Sequence, residues 1–200
     1  MNVIRNFRIV KVDYKYCDYL KQFDNKVPYN AGSKELRPFI GILFVVNGCE
    51  YFAPLSSPKA KHLDMKNNVD LVKIDGGRLG VINFNNMIPV KPSNYELFDL
   101  NSKPATTPEL KRQNLLKSQL LWLNKNISTV KGKAIKLYEK YKDNKLPERI
   151  SQRCCNFILL EKNVTNISRG DYMPCHEFII YKKRPNYFTS FVNIKTKQDF

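Results

Sequence analysis

Asn47-Gly48, set between the apolar runs Ile40–Val46 and Cys49–Ala53, does more than any other feature to limit the folds open to this chain. Both central residues of a two-residue hairpin turn need positive φ, and Asn and Gly tolerate it best, so the pair predicts two antiparallel strands reversed at a fixed point. The second strand is then an aimed rail. It delivers Ser56, Ser57 and Lys59 into a short loop where Pro54 and Pro58 each fix a backbone angle, which holds two hydroxyls and an ammonium close together. That combination suits an anionic phosphate.

Around this hairpin the sequence predicts short strands first and helices later. Phe7–Val12 reads as an opening strand, and Asp13 as the cap of a helix whose Tyr16, Leu20 and Phe23 fall at i, i+4 and i+7 and which ends near Asp24-Asn25. Residues Lys26 to Arg37 carry turn residues and no apolar period, so an irregular loop is expected. A second hairpin, Leu71–Ile74 and Leu79–Phe84, turns at Asp75-Gly76-Gly77, and Met87–Val90 is a further short strand stopped by Pro92. Thr106 or Thr107 with Pro108 and Glu109 starts a helix carrying Leu116, Leu120, Leu123 and Ile127. After a break at Asn124–Ser128, Val130, Ala134, Leu137 and Tyr141 continue the rhythm, and Pro147 ends the region. Asn156–Leu160 is expected to add a late strand. These elements make one domain over residues 1–170, with 171–200 a peripheral hairpin or a partly ordered basic and aromatic tail.

Lys and Arg number 34 against 18 acidic residues, a formal charge of +16 spread along the whole length. A folded, strongly basic chain meets a polyanion, and nucleic acid is favoured over membrane. The longest apolar run, Phe39 to Asn47, is far short of the about 20 residues a spanning helix needs. The start, Met-Asn-Val-Ile-Arg-Asn-Phe-Arg, has no signal-peptide pattern, and five cysteines without framework spacing point to reduced thiols in a cytoplasmic protein. No Cys-x-x-Cys pair exists, and His62 and His176 form no zinc motif with the cysteines.

No pair of acidic residues has the spacing of a nuclease metal cage, and Asp75-Gly76-Gly77-Arg78 lacks the Gly-Lys-Ser/Thr of a phosphate loop. A reaction that hydroxyls and cations promote without a metal or cofactor is RNA cleavage by the substrate's own 2′-OH, which leaves 2′,3′-cyclic phosphate and 5′-OH ends. For it, Lys59 is the natural neutraliser of phosphorane charge. Ser56 and Ser57 can donate to non-bridging oxygens, and Arg37 can give the bidentate contact of a guanidinium to phosphate. Tyr29, His62 and Lys59 are all candidates for proton transfer. His62 suits loop support better than proton transfer, Tyr29 suits a packed loop aromatic as well as a catalytic group, and Trp122 suits a core position better than a base-stacking platform. Candidate RNA contacts are Lys34, Lys61, Arg112 and Lys117, although a basic helix face is often simply solvated. A noncatalytic RNA-binding regulator and a metal-dependent nuclease are the rival functions.

The runs Lys26-Val27-Pro28, Arg37-Pro38-Phe39-Ile40-Gly41-Ile42, Tyr51-Phe52-Ala53-Pro54-Leu55-Ser56-Ser57-Pro58-Lys59, Leu79-Gly80-Val81-Ile82-Asn83 and Met87-Ile88-Pro89 together resemble the ToxN/AbiQ family of endoribonuclease toxins. The resemblance covers roughly residues 7–165. It implies an α+β fold: a strongly twisted, antiparallel, barrel-like sheet similar to the Kid/MazF toxins, with helices around it. It also implies metal-independent cutting of RNA, including target mRNA, inhibition by an antitoxin RNA pseudoknot, and a setting in phage defence, with an RNA-bridged homo-oligomer conceivable. The family's hydroxyl pair and lysine fall on Ser56, Ser57 and Lys59 and its preceding basic residue on Arg37. Its tyrosine has no direct counterpart, Ser33 standing at the nominal position and Tyr29 nearby.

Overall fold

The structure is a computed structural model and describes residues 6–28 and 37–165. Strand β1 (Arg8–Val12) leads into α1 (Tyr14–Lys21), whose start is fixed by Asp13: its Oδ1 accepts from the amides of Lys15 at 2.7 Å and Tyr16 at 3.4 Å. Tyr16, Cys17 and Leu20 make the buried stripe, and the Tyr16 hydroxyl donates to the Pro89 carbonyl at 2.7 Å.

The first hairpin comprises β2 (Phe39–Gly41), β3 (Val45–Val46) and β4 (Cys49–Ser56). Its first strand is broken where the sequence predicts continuity. Ile40 faces Ala53 whereas Val45 faces Glu50, so five steps along one strand match three along the other and two extra residues bulge between them. The chain still pairs there, Leu43 N–H donating to the Tyr51 carbonyl and Tyr51 N–H to that of Phe44. The remaining strands are β5 (Leu71–Lys73), β6 (Val81–Asn83), β7 (Ile88–Val90) and β8 (Tyr95–Leu97), the last unforeseen in the sequence.

The sheet is eight-stranded and antiparallel, in the order β5-β6-β4-β2-β1-β8, with β3 and β7 also paired to β4. Among the described residues β5 and β8 end this order without pairing each other, so the ladder is an open one where a barrel-like sheet is expected. β4 organises it. On one side it pairs β2; on the other it pairs β7 as far as Phe52 and β6 from Leu55 onward. Pro54, which has no N–H to give, sits where β4 exchanges β7 for β6 and needs no donor on that side. Tyr51 to Leu55 are all buried because both faces of β4 are covered. Tyr51 stacks on Phe44 and meets Tyr138 and Phe157 from the helical layer, and its hydroxyl donates to the buried Glu161 at 2.6 Å.

A four-residue α2 (Lys61–Asp64) follows β4. Farther on lie α3 (Thr107–Lys125) and α4 (Ile127–Lys142). Thr106 and Glu109 close α3 with a reciprocal capping box, and Asn126 separates it from α4. After α5 (Glu148–Ser151), the expected late strand is instead the helix α6 (Phe157–Thr165). Phe157, Leu160 and Val164 are buried at helical spacing. A short apolar run does not by itself distinguish strand from helix, and here burial against β4 and β7 decides it. The expected hairpin or tail at 171–200 lies outside the described residues.

Candidate active site

Ser56 is the last residue of β4 and pairs with Val81 of β6. On its other side the β2–β4 register, Phe39 to Pro54 and Ile40 to Ala53, continues through the bond from Leu55 N–H to the Pro38 carbonyl at 2.9 Å. Arg37 directly precedes Pro38, at the entry to β2 on that side. The Ser56 Oγ accepts from Asn83 Nδ2 at 2.8 Å. Its own hydroxyl proton remains available for donation.

Beyond Ser56 the chain leaves the sheet. Residues Ser57 to Lys61 are exposed, whereas His62 is 3% exposed. The turn is held by His62 itself. Its N–H donates to the Lys59 carbonyl at 2.8 Å, and its Nδ1 accepts the Lys59 N–H at 3.2 Å. An acceptor Nδ1 is an unprotonated one, so the ring is neutral in this arrangement. Burial, followed by the charges of Lys61 and Lys59, pushes its pKa below the usual imidazole value. Lys73 closes the far side by donating to the carbonyls of Leu63 at 2.7 Å and Met65 at 2.8 Å.

The floor beneath this loop is the turn between β5 and β6. A Cβ on Gly77 would overlap the His62 carbonyl oxygen, and one on Gly80 would overlap that of Ser56. Two backbones thus lie in direct contact, an approach open only to glycine at positive φ. From outside, Gln119 of α3 donates through Nε2 to the Leu79 carbonyl at 2.7 Å.

Arg37 is half-buried, and desolvation pushes its guanidinium pKa down, with Cys17 acting in the opposite direction. A partly desolvated cation lacks the full hydration that a bound anion would replace. Lys26 donates through Nζ to the carbonyls of Gln152 at 3.0 Å and Cys154 at 2.6 Å, while Asn86 Nδ2 donates to the Lys26 carbonyl at 2.9 Å. The Lys26-Val27-Pro28 run thereby anchors the chain just before residue 29 to the start of the α6 region. The four described cysteines, Cys17, Cys49, Cys154 and Cys155, are free thiols and buried.

Of the residues singled out from the sequence, Ser56, Ser57, Lys59, Lys61 and His62 follow one another from the end of β4 through one loop, and Arg37 lies two residues before β2, the strand paired with β4. Tyr29, Ser33 and Lys34 lie outside the described residues. Arg112 lies over the Phe98 ring at 5.2 Å, next to β8 at the opposite end of the strand order from β5 and β6. The exposed Lys117 donates to Gln113 Oε1 at 3.4 Å. Sequence reasoning missed Asn83 and Arg78. Asn83 follows the glycine turn by three residues, but nothing in composition says that β6 pairs β4 at Ser56.

A basic chain whose buried central strand ends in an exposed loop of hydroxyl and cationic side chains has the make-up of a polyanion-binding protein. The chain belongs to the family described as Toxin ToxN, type III toxin-antitoxin system, which it matches over residues 8–165. It is 33% identical over 164 residues to Endoribonuclease ToxN of Bacillus thuringiensis subsp. kurstaki, a match covering 80% of this chain and 84% of that protein. A solved structure concerned with selective toxin inhibition by a non-coding RNA pseudoknot in bacterial type III systems is similar with a TM-score of 0.67 and 32% identity, covering 80% of this chain and 97% of that one. Another, concerned with a processed non-coding RNA that regulates a bacterial antiviral system, gives a TM-score of 0.68 at 29% identity over 81% of this chain and 99% of its own.

Proposed function

We propose that this chain is an endoribonuclease toxin that cuts single-stranded RNA, including mRNA, without a metal ion, through attack by the substrate's 2′-OH. The observation that carries it is the clustering at the end of β4: Ser56, whose Oγ accepts from Asn83, Ser57 and Lys59 exposed on the loop that follows, and Arg37 two residues before the paired strand β2. The RNA brings its own nucleophile, so the protein has only to orient the phosphate and stabilise the phosphorane. Lys59 neutralises the developing charge, Ser56 and Ser57 donate to non-bridging oxygens, and Arg37 clamps the phosphate. His62 acts through Lys59 as a positioning residue, since its Nδ1 is occupied by the Lys59 N–H. Tyr29 is the proposed hydroxyl acid. The names of the relatives support endoribonuclease activity, and the likeness to the Kid/MazF toxins belongs to this reading.

The same reading makes an antitoxin RNA pseudoknot the inhibitor, with Lys34, Lys61, Arg112 and Lys117 as contacts, RNA bridging copies of the chain, and abortive phage infection in the bacterial cytoplasm as the setting. Among the described residues no helix is long and apolar enough to cross a membrane. Purified protein incubated with single-stranded RNA in excess EDTA tests the chemistry. The expected products carry 2′,3′-cyclic phosphate and 5′-OH ends, and an all-deoxy strand stays intact. Binding without cutting would favour the noncatalytic regulator; activity lost in chelator would sink the metal-free route.

A further inference from the structure

Between the Ser56–His62 loop and the β5–β6 turn lies an open surface depression of about 350 Å³ lined by Pro58, Lys59, Ala60, Leu63, Gly77 and Arg78. Its chemistry is mixed. Two cations face it, yet Leu63 is 53% exposed beside them, an apolar side chain left in water next to charge. Arg78 is tied to Asp75, Nε to Oδ2 at 2.9 Å and Nη2 to Oδ1 at 2.8 Å, although its side chain is 72% exposed. An exposed ion pair contributes little to stability. What the pair does is fix the plane of the guanidinium and leave the Nη1 donors free to meet a second oxyanion.

We infer that this depression is a subsite for a nucleotide flanking the scissile phosphate, with Arg78 on that nucleotide's phosphate and Leu63 and Pro58 beneath its base. The inference rests on the proposed reading of the neighbouring loop, since Lys59 is shared by both. A nucleotide is the ligand that pairs an oxyanion with a flat apolar face, and an open depression leaves the rest of the strand free to run on along the surface. Gly77, which lines this depression, lies so close to the His62 carbonyl that no Cβ would fit between them, so the subsite wall and the loop bearing Lys59 are in direct backbone contact.

Binding of a fluorescent, fully 2′-O-methylated RNA dodecamer of mixed sequence, followed by anisotropy at several salt concentrations, tests the assignment. Arg78→Ala should weaken binding about tenfold, as for one charge-assisted contact. It should also lower the slope of log K against log salt by about 0.7, the value for one phosphate on a single strand. Leu63→Ser should weaken binding about fivefold with the slope unchanged, because a base contact releases no counterion. Should Arg78→Ala disturb the fold, Arg78→Lys serves instead, with the slope retained and affinity reduced severalfold. Wild-type affinity and slope in both Arg78→Ala and Leu63→Ser overturn the subsite, whatever the enzyme does to ordinary RNA. Tight wild-type binding with the predicted losses, but no cutting of ordinary RNA, leaves the subsite standing and removes the cleavage reading.

Discussion

β4 is bordered by two glycine turns that look alike in sequence and serve different ends. At its start Asn47 and Gly48 have φ of 50° and 75°; beside its end Gly77 and Gly80 have φ of 100° and 97°. A Cβ on Gly48 would meet nothing within 4 Å, whereas on Gly77 or Gly80 it would strike the backbone of His62 or Ser56. The first glycine is needed only for local chain reversal. The second pair is needed because another segment, remote in sequence, lies against it. Positive φ alone therefore does not reveal a functional wall; the neighbour does.

Chemistry and support separate most clearly at the end of β4. Lys59→Ala should lower RNA cleavage by about 10²–10³-fold, the usual loss on removing a group that stabilises transition-state charge. Its melting temperature should match wild type, because the side chain is exposed. Ser57→Ala should behave likewise, with toxicity in cells lost. Retained cleavage in both variants would place the reactive centre elsewhere. Next in size, Gly80→Ala should destabilise the fold by about 3 kcal/mol, combining strain at positive φ with overpacking against the Ser56 carbonyl. Chemical denaturation measures it, and a loss below that of the corresponding change at Gly48 would remove the distinction between the turns.

The two turns also show what was legible in the sequence. Asn47-Gly48 announces itself, since its whole requirement is local, and so do the Asp13 cap and the Thr106 to Glu109 capping box. Ser56, Ser57 and Lys59 are readable because the strand before them fixes where they emerge. The bulge between Ile40 and Val45, the strand β8 and the helix at Phe157–Thr165 are set by partners far along the chain, which periodicity does not report. Asn83 and Arg78 were hidden for the same reason. Only the β4–β6 register brings Asn83 to Ser56, and only the contact of Gly77 with His62 sets Arg78 against Lys59.

His62 sharpens the contrast through pH. Because burial lowers its folded pKa, the unfolded chain binds the proton more readily, and stability rises with pH between the folded value and the ordinary 6.5. The contribution is fully present above 6.5 and is lost as pH falls toward the folded value. Melting temperature should therefore decline on acidification through that window. His62→Asn, which keeps an acceptor near the Nδ1 position, should flatten the decline, and His62→Ala should cost about 2 kcal/mol through the lost packing and hydrogen bond. An identical pH profile in His62→Asn would exclude this imidazole as the titrating group.

The smallest effect belongs to the open turn. Gly48→Ala adds only the cost of holding an L-residue in the left-handed region, about 1 kcal/mol, since no atom stands in the way of its methyl group. Gly48→Asn should cost less still, because Asn tolerates that conformation through local hydrogen bonding. Denaturant midpoints of the two variants, set beside RNA cleavage rates, make the comparison complete. Both should cut RNA at the wild-type rate, because the turn lies at the far end of an eight-residue strand from Ser56. A cleavage defect in Gly48→Ala larger than its loss of stability would mean that β4 transmits strain along its length, and that the two turns are coupled through the strand they flank.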